Sequence, residues 1–310
     1  MVYTRTSGPA EVGGVPVVRV GRRHKFGGWL GCLHRLNFFR RADLVHVHNP
    51  HALLSLALPA RAFLWRKPFV ITLHGYASLP PPRVDALLQR LSSLLCGAVF
   101  CVGEFVAKWY GIRGCKVIWG ATEVGEEPAP FPVEPVVAYV GRLSPDRPAR
   151  VAVLAVAFSC RLWVGARLIV AGDGPLRGKL ESLASRLGVE AEFLGWVREP
   201  REVVRRSSVV VASGYLSALE AMAEGRPALA VARDRWEEDY WEGFPGPVVR
   251  ARSAREAGEA IGRLLSDRRR LLNLSRQSRE FARRMTWEEL AKAHLEVYRR
   301  LLRGVEKVCA

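Results

Sequence analysis

The segment Val136–Arg147, VVAYVGRLSPDR, decides how the rest of the chain is read. A short continuous apolar run that ends at a glycine is the mark of a strand buried on both faces. A helix-like stretch, Arg150–Arg161, follows. A second apolar run, Arg167–Ala171 (RLIVA), then opens into Gly172-Asp173-Gly174-Pro175. Strand, helix and strand in this order make a βαβ unit, which places its two strands side by side and parallel.

Working toward the C-terminus, Ala191–Leu194, Val209–Ala212, Pro227–Val231 and Pro247–Val249 read as further strands. Leu176–Leu187, Arg201–Arg206 and Ser217–Glu224 read as the helices between them. From about Ala254 to Leu302 the chain is helical, with a start signal at Thr286-Trp287-Glu288-Glu289, an N-cap followed by acidic residues. Working toward the N-terminus, Glu123–Pro135 (EVGEEPAPFPVEP) has little apolar periodicity and reads as a stiff polar linker. Before it runs a second alternating series. Its strands are Val15–Val20, Leu44–His48, Phe69–Leu73, Ala98–Val102 and Lys116–Trp119. Its helices lie near Trp29–Arg41, Ala52–Leu64, Arg83–Leu95 and Glu104–Gly111. The expected organisation is a Rossmann-like domain over 1–125, a linker over 126–135, a second Rossmann-like domain over 136–285 and a closing helix over 286–310.

Composition agrees with an α/β protein. The 310 residues are 49% hydrophobic and 25% charged, which excludes a disordered or collagen-like chain. Lys and Arg number 47 against 30 Asp and Glu, a net charge of +17 that favours phosphate-bearing partners. The six cysteines show no CxxC pair and mostly sit in apolar runs, so they read as small buried residues in a reducing compartment. The start lacks a secretory apolar segment and no run reaches the ~20 apolar residues of a bilayer span. A cytoplasmic protein is expected, with any membrane contact at the surface.

Three loops carry candidate chemistry, each just after an expected strand, where parallel sheets bind ligands. On the first, Gly141-Arg142-Leu143 leads to Arg147, and two guanidiniums on one loop suit a diphosphate. The second is Gly172-Asp173-Gly174-Pro175, a tight turn into a helix. The third runs from Ser213 to Met222, SGYLSALEAM, where a helix start offers free N–H groups to an anion and Glu220 can accept hydrogen bonds from sugar hydroxyls. Singly each is common. Their order within one domain is what carries weight.

That order, with LIVAGDGPLRGKLESLASRLGV, FLGWV and ALEAMAEGRPALAV, resembles the group 1, family-four retaining glycosyltransferases of the GT-B fold. The first half is similar more loosely, through ADLVHVHNP (Ala42–Pro50) and PFVITLHG (Pro68–Gly75). The resemblance covers about nine-tenths of the chain. It implies two Rossmann-like domains with parallel sheets facing each other across a cleft, the first domain incomplete, and a last helix returning to the first domain. It further implies that a nucleotide-diphosphate sugar is the donor and a lipid-linked or other saccharide the acceptor. Arg142 and Arg147 would hold the diphosphate, with Gly141 in their loop. Backbone amides of Ser217, Ala218 and Leu219 would face the phosphates, Glu220 the ribose, and Trp196 and Val197 the base, flanked by Gly172 and Gly174. His74 would lie near the transferred sugar. No DxD motif is present, so neither a metal nor another cofactor is expected.

Three departures bear on this. Only Glu220 remains of the family's pair of glutamates at the third loop, Ala212 or a deletion standing where the first would be. About fourteen residues precede Val15, where the family has a strand, a glycine-rich loop, a helix and a second strand. The usual Asn-Gly closing the first domain reads Trp119-Gly120. A non-catalytic homologue that binds a nucleotide or partner is therefore the alternative. A basic nucleic-acid-binding protein would need a recognition helix, aromatic RNP-like strands or a zinc module, and none is present. His46, His48 and His51 read as a polar strand end, or else as a metal site lacking a carboxylate or cysteine. Arg19–Arg41 has seven basic residues, no acidic one and interleaved aromatics. It reads as a core-facing helix with a basic outer face, or as a surface for anionic membrane.

Overall fold

The structure is a computed structural model that describes residues 2–4, 11–12, 14–19, 41–53, 67–75, 82–162 and 165–304. They fall into two compact units. The first comprises Met1–Val102, Val106–Val117 and Leu295–Ala310, and the second Gly103–Phe105 and Ile118–His294.

The first unit opens with β1 (Val2–Thr4), β2 (Glu11–Val12) and β3 (Val15–Arg19). β3 lies between the other two, parallel to β1 and antiparallel to β2. The sequence reading expects Val15–Val20 as the first strand; β1 and β2 are too short to show an apolar period. A second sheet follows, built from β4 (Val45–His48), β5 (Phe69–Leu73), β6 (Ala98–Val102) and β7 (Lys116–Ile118), in that spatial order. β4, β5 and β6 are parallel, and every residue of β5 is buried. The helices are α1 (Pro50–Ala52), α2 (Arg83–Leu94) and α3 (Glu104–Tyr110). The expected helices near 29–41 and 52–64 lie outside the described residues, apart from their nearest ends, as does nearly all of the basic segment 19–41.

α2 packs with unusual polarity. Gln89 and Ser92 face inward, while Val84, Leu87, Leu91 and Leu94 are exposed. Their spacing puts the four apolar residues along one side of the helix.

In the second unit the strands β8 (Val136–Val140), β9 (Arg167–Ala171), β10 (Ala191–Gly195), β11 (Val209–Ala212), β12 (Ala228–Val231) and β13 (Val249–Ala251) form one parallel sheet. Their spatial order is β10-β9-β8-β11-β12-β13. Counted from β8, this is the 3-2-1-4-5-6 order of the dinucleotide-binding fold, with the order reversing between β8 and β11. Helices α4 (Ala149–Leu162), α5 (Arg177–Leu187), α6 (Pro200–Arg205), α7 (Tyr215–Ala223), α8 (Arg235–Glu242), α9 (Ala254–Ser266) and α10 (Arg268–Arg283) belong to this unit, and the last helix, α11 (Trp287–Leu302), is divided, its residues from Leu295 on counting with the first unit. Val137, Tyr139, Leu168, Val170, Val209, Val211 and Leu229 are buried in one core with Ala152, Ala155 and Ile261 of the covering helices.

Two corrections concern single elements. The last strand is Val249–Ala251 rather than Pro247–Val249, since Arg250 interrupts the apolar run that marks the others. α8 is absent from the sequence reading because RWEEDYWE is only about two turns long, too short for Trp236, Tyr240 and Trp241 to repeat at helical spacing. Its signal was the cap: Asp234 accepts hydrogen bonds from the N–H groups of Trp236 and Glu237, with Glu237 and Glu238 in the first turn. Among the cysteines, Cys96 and Cys101 are buried as expected, but Cys160 is exposed.

The proline-rich segment is held against the second unit by buried arginines. Arg226 is fully buried and donates through Nη2 to the carbonyls of Ala129 and Pro130, each at 2.9 Å, and of Arg205 at 2.8 Å. Its guanidinium lies 4.4 Å from the centre of the Phe131 ring. Arg279 donates to the Gly125 and Ala223 carbonyls.

Candidate functional site

The reversal between β8 and β11 directs attention to the loops at their C-terminal ends, where a parallel sheet leaves a crevice. The glycines there permit an unusually close approach of backbone. A Cβ on Gly172 would lie 1.9 Å from the Gly141 carbonyl oxygen, and one on Gly174 would lie 2.5 Å from that of Leu143. One on Gly141 would meet Ser213 at 2.7 Å. Backbone hydrogen bonds cross-link the same loops: Gly141 N–H to Ala171 O, Leu143 N–H to Asp173 O, and Gly172 N–H to Gly195 O. The first two loops and the start of the third are therefore packed together at one end of the sheet. Trp196, directly after Gly195, stands 77% exposed, and Val197 is partly buried.

Arg147 reaches from the first loop to the third. Its Nη1 donates to the Ser213 carbonyl at 2.9 Å. Asp146 lies between the two arginines, 3.3 Å from Arg142 and 3.2 Å from Arg147. Burial pushes the Asp146 carboxyl up, but the Ser144 hydroxyl and the Arg147 and Arg142 guanidiniums outweigh it and hold the carboxyl below its ordinary value. Arg142 is otherwise exposed. Tyr139, buried beneath the loop, donates from its hydroxyl to the Arg142 carbonyl at 2.9 Å. Arg233, held by Glu237, also reaches this loop, 3.4 Å from the Pro145 carbonyl. Neither Tyr139 nor Arg233 was singled out from sequence, because their loop contacts depend on tertiary packing.

The third loop is organised by Ser217. Its Oγ accepts from the N–H groups of Ser213 at 2.8 Å and Gly214 at 3.1 Å. α7 begins at Tyr215, two residues before the expected Ser217, so its first-turn donors move as well. The Ala218 N–H is spent on the Gly214 carbonyl, and the Ala218 and Leu219 side chains are fully buried packing. The Tyr215 N–H goes to the Tyr240 hydroxyl at 3.0 Å. Helix geometry leaves the N–H groups of Leu216 and Ser217 without an intrahelical acceptor. Tyr240 of α8 stacks on Tyr215 with ring centres 3.9 Å apart, and Trp119 packs edge-on against Tyr215 at 5.0 Å. Trp119, in place of the family's asparagine, thus belongs to the aromatic support of the helix start.

Glu220 lies half-buried, one turn further along α7. Burial raises its carboxyl above the usual range, opposed by Arg201. Glu224, one turn on, is buried and ion-paired to Arg201 and Arg205. Ala212 ends β11 fully buried, with no carboxylate there.

His74 belongs to the first unit. Its Nε2 lies 2.7 Å from His48 Nδ1, and burial lowers its pKa. His46 stacks on His48 at 4.7 Å and bonds to Thr72 and Tyr298. The histidines face one another ring to ring, and among the described residues no group of three His, Cys, Asp or Glu could hold a metal ion.

Comparison with known proteins bears on the family and the fold. Residues 134–267 match the family described as "Glycosyl transferases group 1", and residues 2–118 match "Glycosyltransferase Family 4". The chain belongs to these glycosyltransferases, and its fold is GT-B. It is 31% identical to a D-inositol 3-phosphate glycosyltransferase of Nocardia farcinica, over 54% of this chain and 41% of that one. It is 24% identical to the alpha-1,4-N-acetyl-D-galactosaminyltransferase of Campylobacter jejuni that acts on an undecaprenol-diphosphate-linked saccharide, over 50% of this chain and 45% of that one. The chain thus spans less than half the length of these curated relatives. Among solved structures, Anabaena HepE in complex with UDP and glucose superposes with a TM-score of 0.74 at 17% identity, covering 92% of this chain and 86% of that one. Sucrose-phosphate synthase from Thermosynechococcus elongatus gives 0.74 at 17%, covering 97% and 88%.

Proposed function

We propose that the protein transfers a sugar from a nucleoside-diphosphate donor to a hydroxyl acceptor with retention of anomeric configuration. The observation that carries this reading is the gathering of Arg142, Arg147 and the start of α7 at the β8–β11 reversal. In this reading the two arginines and the Leu216 and Ser217 amides bind the diphosphate, Arg147 having replaced the family's more usual lysine. Glu220 accepts from the ribose hydroxyls. The Trp196–Val197 backbone receives the base beside the Gly172–Gly174 loop, and His74 lies near the transferred sugar. The bond from the anomeric carbon to the diphosphate oxygen breaks while the acceptor oxygen bonds to that carbon on the same face. The acceptor proton passes to the departing diphosphate, whose charge the arginines and helix start stabilise. The reading assigns no metal, and it rests there on the lack of a DxD motif.

Calorimetric titration with UDP- and GDP-sugars tests it. Saturable binding by one donor class is expected. Glu220→Ala or Arg142→Ala should each weaken it about 10- to 100-fold, the worth of charge-assisted hydrogen bonds of roughly 1.5–3 kcal/mol. Affinity should also fall as the pH drops through the raised Glu220 pKa, because a protonated carboxyl accepts poorly. Product NMR with a retained anomeric signal supports transfer with retention; an inverted product refutes it. Donor binding without hydrolysis or transfer would favour the non-catalytic alternative.

Contact with an anionic membrane surface is part of the same reading, since lipid-linked acceptors are brought there. The sequence of Arg19–Arg41 supports it, as does the outward apolar row Val84, Leu87, Leu91 and Leu94 on α2, whose neighbours include Arg83 and Arg90. Among the described residues no helix is long and apolar enough to cross a membrane. Cosedimentation with phosphatidylglycerol vesicles, weakened by salt and by Leu87→Asp with Leu91→Asp, is the expected result. Equal recovery with uncharged phosphatidylcholine vesicles would refute it.

A further inference from the structure

Arg233 lies two residues beyond the end of β12, and its side chain reaches the loop of a strand that is not its neighbour. The sheet places β11 between β8 and β12. Yet Arg233 Nη1 lies 3.4 Å from the Pro145 carbonyl and Nη2 3.5 Å from that of Asp146, both on the loop after β8. The guanidinium therefore spans the end of β11, where Ser213 and Gly214 lead into α7. Tyr139, beneath the loop, marks the same gathering. Burial pushes its hydroxyl up, and the charges that act on it belong to Arg147, Asp146, Arg142 and Arg233.

This guanidinium is held firmly at one edge and loosely at the other. Nε donates to both Glu237 oxygens at 3.0 Å, and Nη2 donates to Oε1. The Glu237 hydrogen bonds raise the Arg233 pKa against burial, so the group stays charged. The two carbonyl contacts are long beside the roughly 2.9–3.0 Å usual for an N–H···O bond. A phosphate oxygen accepts such an N–H better than a neutral carbonyl does, because both partners are then charged. The Arg233 side chain is 35% exposed, so a ligand can reach it. Arg142, Arg147 and Arg233 face only Asp146 and Glu237 in these ion pairs, which leaves the cluster cationic before any donor arrives.

Position along the sheet decides which part of the donor Arg233 meets. In the proposed reading the base lies after β10 and β9, by Trp196 and the Gly172–Gly174 loop, and the diphosphate lies at the β8–β11 reversal. The next strand in the same direction is β12. The phosphate farther from the nucleoside is therefore the one that faces Arg233. We infer that Arg233 is a third donor-binding arginine, which gives up the Pro145 and Asp146 carbonyls to hold the distal phosphate, and that Glu237 weakens this hold by neutralising part of its charge. The role of Arg233 as a donor contact rests on the nucleoside-diphosphate reading.

The test is calorimetric titration of the full chain with UDP and GDP, and with UMP and GMP by displacement of the bound diphosphate. Arg233→Gln should weaken the diphosphate about tenfold or more, the worth of one charge-assisted hydrogen bond, and the monophosphate less than about twofold. Arg233→Lys keeps the charge but not the fork, so its affinity should fall between those of the wild type and Arg233→Gln. It supplies the same readout if Arg233→Gln does not fold, which melting temperatures establish. Glu237→Gln keeps an acceptor for the Arg233 N–H and removes the competing charge, so it should tighten the diphosphate at least about twofold. An arginine that only braced the loop would lose its anchor in Glu237→Gln and bind the diphosphate no better. Unchanged diphosphate affinity in the folded Arg233 variants, equal losses for diphosphate and monophosphate, or no gain in Glu237→Gln would each overturn the assignment and leave the donor reading in place. A wild-type chain that binds neither UDP nor GDP would remove both.

Discussion

Gly172→Ala is expected to destabilise the second unit by about 3 kcal/mol or more and to abolish donor binding, from overpacking and a backbone conformation that disfavours a side chain. The added methyl would sit 1.9 Å from the Gly141 carbonyl oxygen, at a φ of +146°. Gly141 has little room to retreat. Its own N–H is bonded to Ala171 O at 3.0 Å, and its α-carbon is packed against Ser213. Gly172 in turn is tied to Gly195 O at 2.7 Å. Any shift therefore passes to the Arg142–Arg147 loop and to the start of α7 together. Gly178→Ala is the matched comparison. That residue lies in the first turn of α5 with open space around it, so the helix-favouring methyl should be neutral or stabilise by about 0.5–1 kcal/mol. Urea denaturation of both variants, with a donor titration of each, checks the pair. Wild-type stability and affinity in Gly172→Ala would mean that the loops do not meet as described.

Arg226→Met should cost about 3–5 kcal/mol, the range for stranding buried polar partners. The three carbonyls of Ala129, Pro130 and Arg205 would lose their donor, and Phe131 its stacked cation. Burial lowers the Arg226 pKa to about 10, with Glu224 opposing, so the guanidinium stays charged at neutral pH. The expected signature is twofold: a lower urea midpoint and faster proteolysis within residues 126–135, which Arg226 pins. Loss of stability with an unchanged cleavage pattern would show that the proline-rich segment is held by other contacts. Neighbouring Glu224 adds a pH dependence. Burial raises its carboxyl, but the Arg205 and Arg201 hydrogen bonds prevail and hold it below its ordinary value of 4.5. Its contribution is therefore full above about that pH and is lost as pH falls through the lowered folded value.

The stretch by which the family is most recognisable, Glu220–Pro227 (EAMAEGRP), serves the fold at most of its charged positions. In the proposed reading Glu220 is the member of this stretch that meets the donor. Glu224 holds Arg201 and Arg205, and Arg226 holds the proline-rich segment. A recognisable motif here is largely a packing device, and alanine substitutions across it would report folding more than donor recognition.

The chain's own residues determined the strands of both parallel sheets, most helices and the three glycine-bearing loops, because these depend on local apolar periodicity and turn chemistry. Phe69–Leu73, Ala98–Val102, Val136–Val140, Arg167–Ala171 and Val209–Ala212 have the same bounds in both readings. Tertiary structure alone decided the strand order that reverses between β8 and β11, the reach of Arg147 to Ser213, the start of α7 at Tyr215 under Tyr240, and the reach of Arg233 past β11 to Asp146. Each is a meeting of residues far apart in the chain, set by how closely backbones pack and which buried polar groups find partners, and neither leaves a periodic trace in the sequence.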